Sequence, residues 1–446
     1  MRGRHDVLCL SSEGLRTWGA FAADVARFRS RIGEATHVCN LFGNRYDFMV
    51  GLAAALLNGQ MTLLPAAAAA GAAAATQGDA DRLLVLGELP PGAEADWHIE
   101  RVERSDGSDE PSALTRALEA STGEVHVFTS GSTGRPVRHV KDWVSLAGGA
   151  ALTAAILREL GCEPGSCAIL GTTPHQHMYG LEASVFAGLA FGHCLYGGTV
   201  FFPADLERAV LEVRDAGFER AVLVSSPAHL KFLQATLLAT PAVCGIVSAT
   251  APLSLAQAHG LEARGDLPVM EIYGSTETGS LASRRTVGSD EWQALEGFVL
   301  EAQAEGVIAT APHLRSAVPL ADAVELRPGQ RFRLLGRLGD MVSVAGKRTT
   351  LAALSAILLE TPGILDGVVL QRRSEAGDAL AVAAVLDRGA GVTEAEAKAA
   401  IRHAFRQQVD PVFLSKRIRF LERLPRLASG KIPAEELDRL KESIGL

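Results

Sequence analysis

The chain has 446 residues, of which 48% are hydrophobic and 21% are charged, so it is long enough to bury a large core and predicts two or three domains at about 150 residues per domain. Its formal net charge of −8 argues against a nucleic-acid-binding protein, which normally carries a basic excess. The six cysteines form no Cys-x-x-Cys pair, which argues against a zinc site and predicts free thiols in a reducing cytoplasm rather than a disulfide framework.

The first sixty residues predict no membrane segment. The N-terminus lacks the apolar run of a signal peptide. The most apolar stretch, residues 49–57, is followed by Asn58-Gly59-Gln60 and is far shorter than the ~20 residues that a bilayer requires. We therefore expect a soluble, cytoplasmic protein.

From about residue 120, strand-like and helix-like segments alternate. The predicted strands are 124–128, 221–224, 246–249 and 269–273, and the predicted helices are 143–160, 205–216 and a segment that opens at Pro227. Asp205 is the expected N-cap of its helix, and Pro227 suits the first helical position. This alternation predicts an α/β fold with parallel or mixed sheets covered by helices on both faces.

The last hundred residues have a different pattern. Segments 341–344 and 379–386 are β-like, and 393–408 is an amphipathic helix that Thr393 and Glu396 open as a capping box. A glycine-rich break at 335–339 precedes this part. We therefore predict two domains, 1–338 and 339–446, the second a small α+β domain.

A hydroxyl- and glycine-rich loop follows the predicted strand 124–128. It reads Thr-Ser-Gly-Ser-Thr-Gly-Arg-Pro and begins at Thr129. Glycines let a backbone wrap closely around an anion, and hydroxyls and backbone N–H groups donate to phosphate oxygens. The loop is not a Walker A motif, since Gly-x-x-x-x-Gly-Lys-Ser/Thr is absent. Taken alone, it fits a phosphate site or a surface turn.

A second segment, Tyr-Gly-Ser-Thr-Glu, ends at Glu277 and follows the predicted strand 269–273. The carboxyl ends of strands in open α/β sheets bind ligands, and a carboxylate there suits Mg²⁺, which prefers oxygen ligands and bridges to phosphates. The alternative is a helix N-terminus, capped by Ser275 or Thr276, whose dipole favours the charge of Glu277.

Two further segments near the C-terminus pair glycine with basic residues. The first covers 335–340 and 344–348, and the second covers 424–426 and 428–432. A lysine in a Gly/Ser turn is usually only solvated, so neither segment indicates a site by itself.

In this order, the four segments resemble the adenylate-forming superfamily, which includes acyl-CoA synthetases, aryl-acid ligases, peptide-synthetase adenylation domains and luciferases. The resemblance spans residues ~125 to 435. It implies a large N-terminal domain of mixed sheets covered by helices, a small mobile α+β C-terminal domain, and the use of ATP and Mg²⁺. The implied reaction joins a carboxylic acid to a thiol through an acyl-adenylate, with AMP and pyrophosphate as products.

The resemblance implies roles for the nucleotide-side residues. The positions that match the phosphate loop, which holds the β- and γ-phosphates, are Thr129, Ser130, Gly131, Ser132, Thr133 and Gly134. The positions that match the Tyr-Gly-x-Thr-Glu motif are Tyr273 (against adenine), Gly274, Ser275, Thr276 and Glu277 (on Mg²⁺). Asp322 matches the ribose-binding Asp, and Arg337 the Arg that contacts ribose and phosphate. Lys431 matches the Lys that meets both the substrate carboxylate and the α-phosphate.

On the acyl side, His177 matches the gate beside the acyl pocket, with Gly180 close to it in the sequence. Glu182 lies near the register in which amino-acid-activating members have an Asp; the alternative is that it faces another polar group and touches no substrate. Thr250 lies in Ser248–Leu253, which resembles the adenine-side loop but has less glycine than usual. Gly346 is expected to let a pantetheine arm pass close to the backbone.

Three features depart from the family pattern. Val137 replaces the basic residue that follows the proline of the phosphate loop, although Arg135 and Arg138 lie beside it. Gly339 takes the hinge position that is usually Asp or Lys, unless the register is shifted to Asp340. The N-terminal part is short for the family, so part of its outer sheet is expected to be trimmed.

Local details resemble the short ligases of aryl-polyene and xanthomonadin-type pigment pathways. They are NRYDF from Asn44, QHMYGLE from Gln176 and VAGKRTTLAAL from Val344. That resemblance implies an aromatic acid such as a hydroxybenzoate, loaded onto the phosphopantetheine thiol of an acyl carrier protein. A CoA ligase that acts on an aryl or fatty acid, and a nucleotide-binding module without catalysis, are the alternatives.

Overall fold

The computed structural model describes residues 3–11, 14–65, 82–89, 95, 97–130, 136–304, 306–338, 341–344, 347–372, 379–387, 389, 391–415, 417–426, 432 and 434–445. The chain divides into two compact units. Unit 1 is Met1–Gly131, Arg135–Leu300 and Ala309–Val318, and unit 2 is Ser132–Gly134, Glu301–Ile308 and Pro319–Leu446. The domain boundary placed between residues 338 and 339 stays a prediction.

Unit 1 consists of two sheets and the helices that cover them. Its strands are β1 (Val7–Ser11), β2 (Gly14–Thr17), β3 (His37–Asn40), β4 (Met61–Leu64), β5 (Leu83–Leu86), β6 (His98–Ile99), β7 (Glu124–Ser130), β8 (Pro136–Lys141), β9 (Cys167–Gly171), β10 (Cys194–Tyr196), β11 (Arg220–Ser225), β12 (Val243–Ser248), β13 (Val269–Ser275), β14 (Gly279–Arg285) and β15 (Trp292–Ala294). Its helices are α1 (Trp18–Ile32), α2 (Arg45–Leu57), α3 (Pro111–Glu119), α4 (Trp143–Glu159), α5 (Met178–Gly180), the π-helix Leu181–Phe186, α6 (Ala187–Phe191), α7 (Pro203–Asp215), α8 (Pro227–Leu238) and α9 (Leu255–Glu262).

Within unit 1 the strand order of the first sheet is β15-β14-β13-β12-β11-β9-β10-β1-β2, and that of the second is β6-β5-β3-β4-β7-β8. Strands β9 to β13 pair in parallel, while β13 and β14 are antiparallel. In the second sheet β4 and β7 are parallel, and β8 turns back antiparallel to β7. The prediction of mixed sheets is therefore confirmed.

Strand β11 shows why helices cover both faces of the first sheet. Successive strand side chains point to opposite faces, and those of β11 belong to two different hydrophobic clusters. Val222 and Val224 pack in the cluster that contains Leu146 of α4. Ala221 and Leu223 pack in the cluster that contains Leu230 of α8. A strand buried on both faces is continuously apolar, which is the pattern that predicted it.

The predicted strands and helices of this region are confirmed, with ends shifted by a few residues, but the N-cap assigned to Asp205 is wrong. The helix begins at Pro203, and Asp205 lies in its first turn. Its carboxylate accepts hydrogen bonds from the N–H groups of Phe201 (3.2 Å) and Phe202 (3.0 Å). Pro203, with its fixed φ and no N–H, starts the helix earlier than Asp205.

Unit 2 contains the C-terminal strands and helices. The division between the units falls among β16 (Val299–Gln303), β17 (Gly306–Thr310) and β18 (Val318–Pro319). The remaining strands are β19 (Asp322–Arg327), β20 (Arg331–Arg337), β21 (Met341–Val344), β22 (Lys347–Thr350), β23 (Ile364–Arg372), β24 (Ala379–Leu386) and β25 (Arg417–Leu421), and the helices are α10 (Leu351–Leu359), α11 (Glu394–Gln408) and α12 (Ala434–Ile444).

Strands β23, β24 and β25 form a sheet that packs against α10 and α11. Leu358 of α10, Val382 of β24 and Ile401 of α11 are buried in one cluster. Thr393 caps α11, and Glu396 completes the capping box. The predicted α+β character of the C-terminal part and its capping box are both confirmed.

The expectation of free thiols is wrong for one pair of cysteines. Cys162 and Cys167 form a disulfide, with their Cα atoms 5.1 Å apart. The short turn between α4 and β9, with Gly161 and Gly165 at positive φ, brings the two side chains together, which spacing alone does not reveal. Among the described residues, Cys9, Cys39, Cys194 and Cys244 are free and buried. No helix in the described part of the chain is long and apolar enough to cross a membrane.

Candidate active site

The hairpin between β13 and β14 places the Tyr-Gly-Ser-Thr-Glu segment at the carboxyl end of β13, an interior strand of the first sheet. Residues 276–278 form its turn, which the hydroxyls of Ser275 and Thr278 close across 3.2 Å. A Cβ at Gly274 would overlap the carbonyl oxygen of Gly279, so the hairpin requires glycine there. The alternative interpretation, that Glu277 belongs to a helix N-terminus, is therefore wrong.

Glu277 lies in this turn with its side chain half exposed. Burial works against its ionisation, but its own backbone N–H, the Ser275 hydroxyl and the basic side chains of His139 and Lys141 hold its pKa below its usual range. An ionised, accessible carboxylate is a suitable ligand for a hard cation.

The stem of the predicted phosphate loop lies close to Glu277. The Thr129 hydroxyl, near the end of β7, is 3.0 Å from Nε2 of His139 on β8. The Nδ1 atom of His139 is 3.8 Å from Oε1 of Glu277. Tertiary structure thus joins two motifs that are far apart in the chain, with His139 between them.

The structure describes only part of the rest of the predicted phosphate loop. The backbone of Ser130 pairs with Pro136 at the end of the hairpin. Gly131, Ser132, Thr133 and Gly134 lie outside the described residues.

Lys141, at the end of β8, is a second basic residue at this turn. Its side chain is buried, and Nζ donates a hydrogen bond to the Glu277 carbonyl oxygen at 2.8 Å. Burial lowers the pKa of Lys141, while the carboxylates of Glu182, Glu277 and Asp142 act in the opposite direction. Neither His139 nor Lys141 was among the residues expected at the site from the sequence. The available signal was that Val137, His139 and Lys141 alternate on one strand.

Glu182, in the π-helix, is fully buried behind the hairpin. Its Oε2 accepts hydrogen bonds from the N–H (2.9 Å) and the hydroxyl (3.0 Å) of Ser280. A Cβ at either Gly149 or Gly279 would overlap its Oε1. Burial raises the pKa of Glu182 to about 7. This geometry agrees with the alternative in which Glu182 faces another polar group, and its contact with a substrate stays a prediction.

His177 lines a cleft of about 600 Å³, which Phe42, Asn44 and Gln176 also line. Burial lowers the pKa of His177, so its imidazole is neutral at pH 7. Gly180 follows in α5, where a Cβ would overlap the Pro174 carbonyl oxygen, so packing already requires glycine. The acyl-side roles of both residues stay predictions.

Thr250 follows the carboxyl end of β12, the strand beside β13, and has a left-handed backbone with φ 76°. This conformation is rare for a β-branched residue and is usually taken by glycine. On the neighbouring strand, the Tyr273 ring lies 5.7 Å from that of Trp292. In the loop after β12, Thr250 therefore adopts a backbone conformation that glycine usually takes.

In unit 2, Asp322 and Arg337 are brought together by β19 and β20, which pair them directly in register. Cross-strand partners lie about 5 Å apart, so this pairing places side by side two residues that are proposed to bind the nucleotide. Gly346, Lys431 and the hinge positions Gly339 and Asp340 lie outside the described residues.

Known structures share this fold along nearly the whole chain. The O-succinylbenzoate coenzyme A synthetase MenE of Bacillus subtilis, in complex with ATP and magnesium ion, superposes with a TM-score of 0.76 at 16% identity and covers 97% of each chain. ATP-bound MatB of Rhodopseudomonas palustris superposes with a TM-score of 0.74 at 18% identity, over 99% of this chain and 96% of its own. The chain therefore has the fold of the adenylate-forming ligases.

Sequence comparison agrees over a shorter stretch. The acetyl-coenzyme A synthetase of Cupriavidus metallidurans is 30% identical over 104 residues, which are 23% of this chain and 16% of that enzyme. The chain thus matches about a sixth of the length of that curated relative. No protein-family model matches the chain. Together the fold and this similarity support the adenylate-forming superfamily, and no finer subtype follows from them.

Proposed function

We propose that this protein activates a small aromatic carboxylic acid with Mg²⁺ and ATP and transfers the acyl group to the phosphopantetheine thiol of an acyl carrier protein. In the first step the carboxylate attacks the α-phosphorus of ATP, and pyrophosphate leaves. In the second step the thiol attacks the acyl carbon, and AMP leaves.

The proposal depends mainly on one observation, the meeting of Thr129 and Glu277 across His139. Two motifs from different sheets thereby present hydroxyl, imidazole and carboxylate groups at the carboxyl ends of β7 and β13. Open α/β sheets bind ligands at such edges. The fold comparison adds that MenE has been solved with ATP and magnesium in the same fold.

Glu277 is the residue proposed to hold Mg²⁺, and its accessible carboxylate with a lowered pKa fits a hard cation. When bound, Mg²⁺ would neutralise phosphate charge. The attack brings two anions together, so the protein's task is positioning and charge neutralisation. For these tasks we propose Thr276 beside Glu277, Arg337 and Asp322 on ribose and phosphate, and Lys431 between the substrate carboxylate and the α-phosphate.

Acid specificity is proposed to depend on His177, Gly180, Glu182 and Thr250, and entry of the thiol on Gly346. The C-terminal domain, 339–446, is proposed to move after adenylation, so that Lys431 leaves and the thiol reaches the acyl-adenylate. The aromatic acid and the carrier protein are supported by the sequence resemblance to short aryl-acid ligases.

Coenzyme A is the second candidate acceptor. The similar proteins are a coenzyme A synthetase in the case of MenE and an acetyl-coenzyme A synthetase in the case of the Cupriavidus metallidurans enzyme. Both acceptors present the same thiol, so every residue proposed for adenylation would serve either one.

The first test is acid-dependent pyrophosphate release, measured across hydroxybenzoates, cinnamates, fatty acids and amino acids. We expect hydroxybenzoates to be preferred and Lys431→Ala to abolish release while ATP binding, measured by titration calorimetry, changes little. A Lys431→Ala variant with normal release would refute the role of Lys431. No pyrophosphate release with any acid, while ATP still binds, would indicate a nucleotide-binding module without catalysis.

The acceptor is decided by a second assay with the preferred acid. Purified holo acyl carrier protein and CoA are offered separately, and thioester formation is followed by mass spectrometry. Acylation of the carrier protein alone supports the proposal, whereas acyl-CoA alone would replace it with the CoA-ligase alternative.

A further inference from the structure

Strand β8 directs two of its alternate side chains at the turn that contains Glu277. His139 Nδ1 approaches the Glu277 carboxylate at 3.8 Å, and Lys141 Nζ reaches the Glu277 carbonyl oxygen at 2.8 Å. On the same strand, Val137 occupies the position after the loop proline where a basic residue is expected, and its side chain is 46% exposed. Besides Arg138, β8 carries a second cation, Lys141, and Lys141 is the one whose hydrogen bond reaches the Glu277 turn.

Lys141 is buried to an unusual degree for a lysine, with only 6% of its surface exposed. Burying a cation costs several kcal/mol unless partners compensate, and lysines are almost never fully buried unless paired. The carboxylate whose charge favours the Lys141 cation most strongly is Glu182, ahead of Glu277 and Asp142. Burial outweighs these carboxylates, and the pKa of Lys141 lies below its usual range.

The Glu277 carbonyl accepts the Lys141 hydrogen bond, while Glu182 acts on Lys141 through its charge. Glu182 is held by the N–H and hydroxyl of Ser280 on β14. The Glu277 carbonyl lies in the turn, between the last paired residues Ser275 and Gly279, and within the described part of the chain no hydrogen bond of the β13–β14 ladder holds it. The Lys141 hydrogen bond supplies that restraint directly at the residue proposed to hold the metal.

We propose that Lys141 is a positioning residue for the metal site: it fixes the backbone of Glu277, so that the Glu277 carboxylate faces the cation of Mg·ATP. This inference rests on the proposed function. It predicts that loss of Lys141 weakens the binding of Mg·ATP because the Glu277 carboxylate is misplaced, and not because Lys141 itself binds ATP.

The test measures ATP binding by titration calorimetry, once with Mg²⁺ and once with EDTA, in the full-length protein. We expect Lys141→Met to weaken Mg·ATP binding at least tenfold and to change metal-free ATP binding less than threefold. Glu277→Gln is expected to do the same. If Lys141 acts through Glu277, the double variant binds Mg·ATP no more weakly than Glu277→Gln alone, since coupled residues are not additive.

Two further variants separate positioning from folding. Lys141→Met combined with Glu182→Gln removes both buried charges, so we expect it to recover thermal stability but to keep the Mg²⁺-specific defect. Lys231→Met, at an exposed lysine of α8, is the matched control and should bind as the wild type does.

Two results would overturn the inference alone: normal Mg·ATP binding by Lys141→Met, or losses from Lys141→Met and Glu277→Gln that add in full. A wild-type protein that binds no Mg·ATP would overturn the proposed function, and the inference with it.

Discussion

Thr250 shows how a single backbone conformation persists without the residue that usually adopts it. Its φ of 76° brings the Cβ of an L-residue close to the following carbonyl, at a cost of about 1–2 kcal/mol. Strain of this kind persists where the surrounding structure fixes the backbone, and it clusters at functional sites. Here the Leu253 N–H, three residues on, donates to the buried Glu271 carboxylate at 2.8 Å.

Thr250→Gly should therefore stabilise unit 1. Relief of the strain exceeds the extra unfolded-state entropy of glycine, and we expect a gain of about 0.5–1 kcal/mol in the free energy of unfolding. The measurement is urea unfolding followed by tryptophan fluorescence, since all four tryptophans (Trp18, Trp97, Trp143 and Trp292) lie in unit 1. Thr236→Gly, inside helix α8, is the control with the opposite sign, and a loss of stability in Thr250→Gly would contradict the strain argument.

At the scale of elements, the β13–β14 hairpin positions the site. The strands shift register between Tyr273 and Gly274, and the close approach of Gly274 to Gly279 depends on the missing side chain. The turn, rather than a helix, then orients Glu277.

Gly274→Ala should break this arrangement. The added methyl overlaps backbone, which cannot rotate away as a side chain can, so we expect a loss of about 1–3 kcal/mol in unfolding free energy together with weaker Mg·ATP binding. Gly288→Ala is the matched control in the turn after β14, where the nearest atom to a Cβ is the Arg285 carbonyl oxygen at 3.5 Å. A loss of stability in Gly274→Ala as small as that in Gly288→Ala would show that the hairpin tolerates the methyl.

At the scale of the whole molecule, buried neutral histidine makes stability depend on pH. His175 is 5% exposed, bonds through Nε2 to the Phe42 carbonyl oxygen at 2.8 Å and packs its ring 4.5 Å from that of Phe48. Burial, then the charge of Arg45, lowers the pKa of His175 from 6.5 to about 3. A lowered folded-state pKa means stability that is present above pH 6.5 and is lost as the pH falls towards 3.

His175→Gln should reduce the loss of unfolding free energy as the pH falls below 6.5. Between pH 6.5 and pH 5 the wild type should lose about 2 kcal/mol more unfolding free energy than the variant does, at ~1.4 kcal/mol per pH unit. Urea unfolding by tryptophan fluorescence at pH 7.5 and pH 5.0 measures the difference. The exposed His259→Gln on α9 serves as control, and parallel losses in wild type and His175→Gln would exclude His175 as the cause.

Sequence alone predicted the elements whose signals are local. The continuous apolar strand around Val222, the proline that opens α8 and the capping box of Thr393 and Glu396 each act within a few residues. The resemblance then indicated the right fold, because motif order along the chain is a property of sequence.

Tertiary structure decided the contacts between residues distant in sequence. It pairs Glu182 with Ser280, and it places Lys141 and His139 at Glu277. Periodicity specifies which face a side chain occupies but not which partner packs against that face, and partners depend on how sheets and helices meet in space.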